Sequence, residues 1–408
     1  MRSRKHTARR HTARRNTVRR NSESRDAGSS ASGFTLVEIL VVISIIGILM
    51  GLTVPAVMEA RRTAARALCA ENLRQLAIAT VAFETTHDRM PGYLQQFGEF
   101  PGGADPSDPP NYSGNVPRHF KIGGWPIAIL SKLDNQPAYE RWSLDRYPII
   151  ADGNGSQTRT TEGYSAHAST HLDTFICPSS SNTIWHRGKN NYIANNGMHS
   201  DSFPMIYTRP GAAARTVDFA RSQNRRNGMF NNQFNGFDPA APTQRVAIGK
   251  PFRLDDCRDG VSQTMMLSEN NQAAPTYLTR LSGNTNHLTN IVNVGGSDTV
   301  AYSPESRYLQ GAVWHFEDPS GFAGAPAVAP IHKINGGDVY QNSLTLANAS
   351  DLARPSSLHT GGVNMAMADG SIKFVTTSIS YPVYQAMMTP SGQASDVPAN
   401  EFIPVDEI

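Results

Sequence analysis

Twenty consecutive residues from Ile39 to Met58, "ILVVISIIGILMGLTVPAVM", carry no charge, and this run limits the possible folds more than any other feature. At a helical rise of about 1.5 Å per residue, about 20 residues cross a hydrocarbon core of about 30 Å. The apolar stretch begins at Phe34 and is rich in β-branched residues (Val41, Val42, Ile43, Ile45, Ile46, Ile48), which lipid tolerates better than a water-soluble helix does. One membrane-spanning helix over residues 34–54 is predicted. A secretory signal would have a shorter apolar core and a small-residue cleavage site; this run is too long and offers no such site.

Charge is segregated around the span. Residues 1–33 hold ten Lys/Arg (Arg2, Arg4, Lys5, Arg9, Arg10, Arg14, Arg15, Arg19, Arg20, Arg25) against Glu23 and Asp26. The rest of the 408-residue chain has 27 basic and 32 acidic residues, so the formal net charge of +3 hides an acidic body. Nucleic-acid binding by that body has little electrostatic support. The head repeats with period five, "HTARR HTARR NTVRR N", and has nothing to bury. Directly before an apolar run it reads as a disordered leader kept in the cytoplasm by the positive-inside rule.

Glu38 is the anomaly in the apolar run. A carboxylate at a bilayer centre costs roughly 2.5–3.5 kcal/mol on insertion scales, so such acids usually snorkel to the interface or find a partner. A cut between Gly33 and Phe34 would create a positive α-amino group one helical turn from Glu38, on the same chain or a neighbour. The register of Gly33, Phe34, Thr35, Leu36, Val37 and Glu38 before an uncharged run resembles the type III signal of bacterial prepilins and type II secretion pseudopilins. The resemblance implies that a prepilin peptidase/N-methyltransferase cleaves after Gly33 and N-methylates Phe34. It also implies that Glu38 guides assembly by pairing with a neighbouring subunit's N-terminus. Pro55 sits where such helices carry a proline and is expected to kink this one. The leader is long for this signal, and "DAGSSAS" separates Arg25 from Gly33.

Helical periodicity continues past Pro55: Ala65, Cys69, Leu76 and Phe83 recur at spacings of four and seven. The helix should stop before "HDRMPG", where Pro91 and Gly92 break it. From Phe34 to Thr85 it would be about 78 Å long, its second half packing on a globular domain through Cys69 and its neighbours.

Beyond residue 90, short apolar runs between Gly, Pro, Asn, Asp and Ser clusters read as strands and long loops. "DTFICPSS" (173–180), "NNYIANNGM" (190–198), "TMMLSEN" (264–270) and "QGAVWHF" (310–316) are the expected strands. "FPGGADPSDPPNYSGNVP" (100–117) is an expected exposed loop, and residues 211–243 an irregular insertion. In "HTGGVNMAMADGSIKFV", Val363, Met365 and Met367 alternate, Asp369-Gly370 makes a predicted type I′ turn, and Ile372 and Phe374 alternate back. His359 is expected to hydrogen-bond this hairpin's backbone.

The spacing of His359 and Asp369-Gly370 is similar to the H-x9-DG element of a large bacterial family, domain of unknown function 1559, which follows prepilin heads. "CAENLRQL" (69–76), "ICPS" (176–179), "NYIANNG" (191–197) and "DGVSQTMMLSE" (259–269) resemble that family's blocks, the last placing Asp259, Gly260 and Glu269 among the motif residues, with Gln263 where Asn is more usual. The family has no settled biochemical activity.

Chemistry in the body finds weaker support. His167 and His171, with Cys177 six residues on, have a zinc-compatible spacing only if helical, and a solvated loop is the better reading. A calcium site drawing on Asp259, Glu269 and Asp369 lacks the ladder of oxygens that calcium needs, and turn geometry explains the Asp-Gly pairs better. Three cysteines, Cys69, Cys177 and Cys257, permit one disulfide; Cys177–Cys257 is a candidate pair, and Cys69 reads as a small core residue. Trp125, Trp142, Trp185 and Trp314 could line a glycan-binding face or fill a core. No nucleophile elbow or phosphate-binding loop is present, so no catalytic residue is assigned.

The expected fold class is α+β and pilin-like: a long N-terminal transmembrane helix packed on a β-rich, loop-rich globular domain. The expected divisions are a leader over 1–33, a helix over 34–86 (34–54 in the membrane, 55–86 on the globular domain), and a domain over 87–408 ending in the H-x9-DG hairpin. The expected function is that of a processed, membrane-anchored pilin-like subunit rather than an enzyme, with no resident cofactor. It would be single-pass in the inner membrane, its N-terminus cytoplasmic and its body periplasmic or at the cell surface. Its partners would be the prepilin peptidase, other pilin-like subunits and the membrane. The alternative is a membrane-anchored carbohydrate- or solute-binding module.

Overall fold

A computed structural model describes residues 34–107, 116–151, 160, 162–180, 187–199, 205–207, 215–217, 219–238, 241–281, 291–294, 297–321, 325–336 and 344–398. The leader, Gly33 and Trp185 lie outside these, as do parts of the proline-rich loop and of the 211–243 insertion. The chain divides into two compact units, residues 1–57 and 58–408.

In the first unit, every residue from Phe34 to Val57 is exposed. Helix α1 (Leu36–His87) begins here, with Pro55 inside it and the helix unbroken on either side. Its start has a local cause. Thr35 Oγ1 accepts from the Glu38 N–H (3.3 Å), and Glu38 Oε2 accepts from the Thr35 N–H (2.8 Å). This reciprocal capping box satisfies two of the donors every helix leaves free at its N-terminus. Within the apolar run, Ser44 Oγ donates to Leu40 O (2.7 Å) and Thr53 Oγ1 to Leu49 O (2.9 Å), so the hydroxyls are satisfied without water.

In the second unit the same helix acquires an inside. Cys69, Leu73, Leu76, Thr80 and Phe83 are buried, at alternating spacings of four and three. That is the stripe of a helix lying on a core. Its end is capped by Asp88 in the left-handed region (φ 56°), whose N–H reaches Glu84 O at 2.8 Å. Pro91 follows and prevents continuation.

The core is built on a five-stranded sheet: β1 (Tyr192–Met198), β2 (Met265–Glu269), β3 (Gly311–Trp314), β4 (Gly362–Met367) and β5 (Ile372–Thr376), in the order β3-β1-β2-β4-β5. Only β3 and β1 pair in parallel; the other neighbours are antiparallel. β1 to β4 are buried along their whole length. Side-chain alternation, interrupted in β2 at Met266 by a register shift against β4, sends Tyr192, Ala194, Leu267 and Ala366 to the core that contains Cys69, Leu73, Leu76 and Phe83. Ile193, Met265, Val363, Met365 and Met367 join a second core with Tyr381, Tyr384, Met387 and Met388 of helix α2 (Tyr381–Met388). The sheet is therefore covered on both faces, which makes the architecture α+β with a long apolar N-terminal helix.

Several details correct the expectations from sequence. "DTFICPSS" is not a strand; Asp173–Phe175 forms a single 3-10 turn, and Asn191, immediately before β1, ties the segment down. The Asn191 N–H donates to Phe175 O (2.8 Å), and Asn191 Oδ1 accepts from the Cys177 N–H (3.0 Å). The hairpin turn is not type I′. Only Gly370 has positive φ (82°), and Met367 N–H bonds Ser371 O (2.8 Å), leaving a three-residue loop with glycine at the left-handed position. Asp369 keeps an ordinary φ because its Oδ1 accepts from Ser371 N–H (2.8 Å) and Oγ (2.6 Å).

The cysteines pair as Cys69–Cys177, with Cα atoms 5.0 Å apart, and not as Cys177–Cys257. Cys257 is free and half-buried, its sulfur 3.0 Å from Thr264 Oγ1. Trp125, Trp142 and Trp314 are fully buried, their Nε1–H groups donating to Gln310 O, Ala168 O and Asn227 O. These three are core residues and provide no exposed stacking face, so glycan binding through them is not supported.

Candidate functional site

Where α1 crosses the sheet, four side chains from distant parts of the chain converge. Cys69 comes from α1, Cys177 from the segment before β1, Glu269 from the last position of β2, and His359 from the loop leading into β4. Among the described residues they form a His/Cys/Glu group whose ligand atoms all lie within 4.8 Å of one another, all four residues being buried. Glu269 is 2% exposed.

The carboxylate is held by β4. Glu269 Oε2 accepts from the Asn364 N–H (2.9 Å) and Oε1 from Asn364 Nδ2 (2.8 Å). His359 Nε2 faces Glu269 Oε1 at 3.2 Å and Cys177 Sγ at 3.7 Å. One nitrogen therefore addresses both the acid and the sulfur. The His359 N–H donates to Ser357 Oγ (3.1 Å), which fixes the start of the loop, and the Tyr192 hydroxyl donates to Cys69 O (3.2 Å). Burying a carboxylate is tolerable only with such partners.

A solvent-facing cleft of about 450 Å³ borders this group. His359 and Asn364 line its floor, Arg62, Thr63 and Arg66 of α1 one wall, and Ile372 and Phe374 of β5 the other. Arg66 lies over the Phe374 ring, 3.4 Å from its centroid, so the wall is tied across by a cation–π contact.

The other sequence candidates lie elsewhere. Phe34 is exposed, and Glu38 occupies the first turn of α1. His359 does not hydrogen-bond the hairpin backbone through its ring; Glu269 does so instead, because His359 Nε2 is turned to Glu269 Oε1 and Cys177 Sγ. Asp259, Glu269 and Asp369 do not converge. Asp259 accepts from the Gly392 N–H, and burial pushes its carboxyl up, while Asp369 serves its own turn. Gly260 has φ 102°, which explains the glycine. His167 lies in a turn and His171 in the irregular segment after it, not on a helix; both are exposed and line a separate cavity of about 530 Å³ with Tyr147 and Arg187.

A second histidine cluster is built differently. The ring of His332 stacks on His315 at 3.5 Å and 1°, and His315 on His199 at 4.3 Å. His332 Nδ1 meets Glu317 Oε1 (2.9 Å) and Nε2 meets Asp351 Oδ1 (3.4 Å), so both ring nitrogens are engaged and the rings lie parallel rather than converging on a point. Burial, then the neighbouring histidines, hold His315 far below the usual imidazole range.

Sequence reading did not find the Cys69–Cys177 pair or the role of Asn364. One signal was available: Cys69, Cys177, Glu269 and His359 each fall within a motif block. The T-x-x-E at Thr35–Glu38 was also a legible capping box.

Residues 58–381 match a family described as proteins of unknown function, DUF1559, and residues 28–54 match the prokaryotic N-terminal methylation motif. No curated protein and no solved structure matches. The methylation motif indicates processing and assembly of the prepilin or pseudopilin type, and with the apolar helix it indicates membrane anchoring. With four-fifths of its length matched and the prepilin-type motif in front, the chain is a member of the DUF1559 family.

Proposed function

We propose that the protein is a pilin-like subunit of a type IV pilus or type II secretion-like machine, cleaved after Gly33 and methylated at Phe34. The observation that carries this reading is the methylation motif placed directly on a helix whose first turn carries Glu38 and whose next 20 side chains are uncharged. Glu38 then has two tasks. In the isolated chain it caps its own helix through Thr35; in an assembly it compensates a neighbour's new α-amino group. The basic leader keeps the N-terminus cytoplasmic and the body on the far side of the membrane. A disulfide in the body agrees with that oxidising side.

The deciding experiment is mass spectrometry of the mature N-terminus from cells containing the peptidase. N-methyl-Phe34 is the expected first residue, and a mature chain beginning anywhere else, or an uncut leader, rejects the processing step.

A further inference from the structure

We propose that Cys69, Cys177, Glu269 and His359 form a redox-gated zinc site: a disulfide when oxidised, and a four-ligand Zn²⁺ site when the two cysteines are reduced. The four ligand atoms lie within 4.8 Å of one another. A tetrahedral zinc shell, with metal–ligand bonds of about 2.0–2.3 Å, needs ligand separations of about 3.3–3.8 Å. Closing the shell takes small side-chain shifts, with the sulfurs parting once their bond is broken. Two thiolates and an imidazole favour a borderline-soft d10 cation over calcium or magnesium, and one carboxylate completes the set.

The supporting shell is already in place. Asn364 grips both carboxylate oxygens of Glu269, and Ser357 fixes the backbone of His359. Such outer contacts orient ligands before the metal arrives. His359 Nε2 already points between Glu269 Oε1 and Cys177 Sγ, at 3.2 and 3.7 Å, which is where a shared cation would sit. His359 also lines the open cleft, giving a path from solvent to an otherwise buried group.

Switching requires a dithiol reductant. Its thiolate attacks one sulfur of the Cys69–Cys177 bond, the other sulfur leaves as a thiolate, and the reductant's second thiol resolves the mixed disulfide. The two cysteines gain two electrons and two protons, and the reductant ends as its own disulfide. Zn²⁺ then binds both sulfurs and releases the two thiol protons to solvent.

The test uses the full chain in detergent with Cys257→Ser, which leaves Cys69 and Cys177 as the remaining cysteines. The protein is reduced with dithiothreitol, desalted without oxygen, and given zinc chloride or cobalt chloride. The expected result is one zinc per reduced chain, at least about 100-fold weaker binding by the oxidised chain, and a thiolate-to-cobalt charge-transfer band in the near ultraviolet. His359→Gln and Glu269→Gln, which alter ligands themselves, should each weaken zinc binding by at least the roughly 10- to 100-fold typical of losing an outer contact. Equal uptake by oxidised and reduced protein, a cobalt spectrum without the thiolate band, or binding indifferent to both substitutions overturns the proposal. Should reduction unfold the chain, recovery of its circular dichroism on adding zinc supports the site, and failure to recover overturns it.

Discussion

The two halves of α1 share one helix and almost nothing else. From Phe34 to Val57 every residue is exposed and the side chains are overwhelmingly apolar. From Met58 onward charges return, and a buried stripe appears that includes Cys69, Leu73, Leu76, Thr80 and Phe83. The first half has no amphipathic pattern because lipid or neighbouring helices can surround it on all sides; the second needs one because it has a core on one side and water on the other. A helix can therefore serve two environments with one backbone geometry, the difference residing entirely in side-chain distribution.

The sharpest way to break this comparison lies at the top of the first half. Glu38→Gln keeps the reciprocal capping bond with Thr35, since glutamine also serves in a capping box, but removes the charge. If Glu38 compensates a neighbour's amine, assembly should fall by about 100-fold or more while Gly33–Phe34 cleavage continues. Filament or pseudopilus yield against processed subunit reads this directly; undiminished assembly in Glu38→Gln would mean that only the cap matters.

In the second half the largest effect on stability should come from Cys69. Replacing Cys69 and Cys177 together by alanine opens a cross-link spanning 108 residues. Thermal melting should show a loss of about 2–5 kcal/mol. Leu73→Ala should cost the body about 3 kcal/mol through the cavity it leaves, whereas Ile46→Ala should change body stability by less than about 0.5 kcal/mol. Parallel denaturation of the two variants in detergent compares the halves residue for residue, and equal losses would erase the distinction.

Protonation separates them again. Glu38 is the one titratable side chain from Phe34 to Val57 and no histidine lies there, so a histidine-dependent loss of stability near pH 5 belongs to the body. Burial pushes His119 down to about 4, and its neutral form is built in: Nδ1 lies 2.8 Å from Pro117 O while Nε2 accepts from the Ile149 N–H (3.2 Å). The unfolded chain takes up this proton near pH 6.5 and the folded chain only near 4, so stability is full above 6.5 and falls between those values as pH drops. The loss from this residue should be on the order of 3 kcal/mol, and His119→Gln should flatten that part of the stability–pH curve. The smallest effect is expected at the hairpin. Gly370→Ala meets no atom within 4 Å, so only its φ of 82° resists, at about 1 kcal/mol.

Much of the fold was legible locally. The long apolar N-terminal helix, its continuation past Pro55, its end at His87 within two residues of the expected stop, three of the four strands expected before the hairpin and both hairpin strands follow from periodicity and from turn residues. Asp369-Gly370 was a turn but of another type, because Asp369 satisfies Ser371 with its side chain instead of adopting positive φ. "DTFICPSS" alternates like a strand, yet it is tied down irregularly by Asn191, immediately before β1. The first was written locally in Asp369-Gly370-Ser371; the second depends on Asn191, 14 residues from Cys177.

Sequence alone determined what depends on near neighbours: a 20-residue uncharged run, the cluster of basic residues ahead of it, the Gly33–Phe34 register of an N-terminal methylation motif, and a glutamate one turn beyond. Tertiary structure decided what depends on contacts across long stretches of chain. Cys69 chose Cys177 over Cys257 across 108 residues, and Glu269 met His359 across 90. Spacing along a chain says little about distance once a sheet reorders its strands as β3-β1-β2-β4-β5, because packing, not sequence, sets which side chains share a buried space.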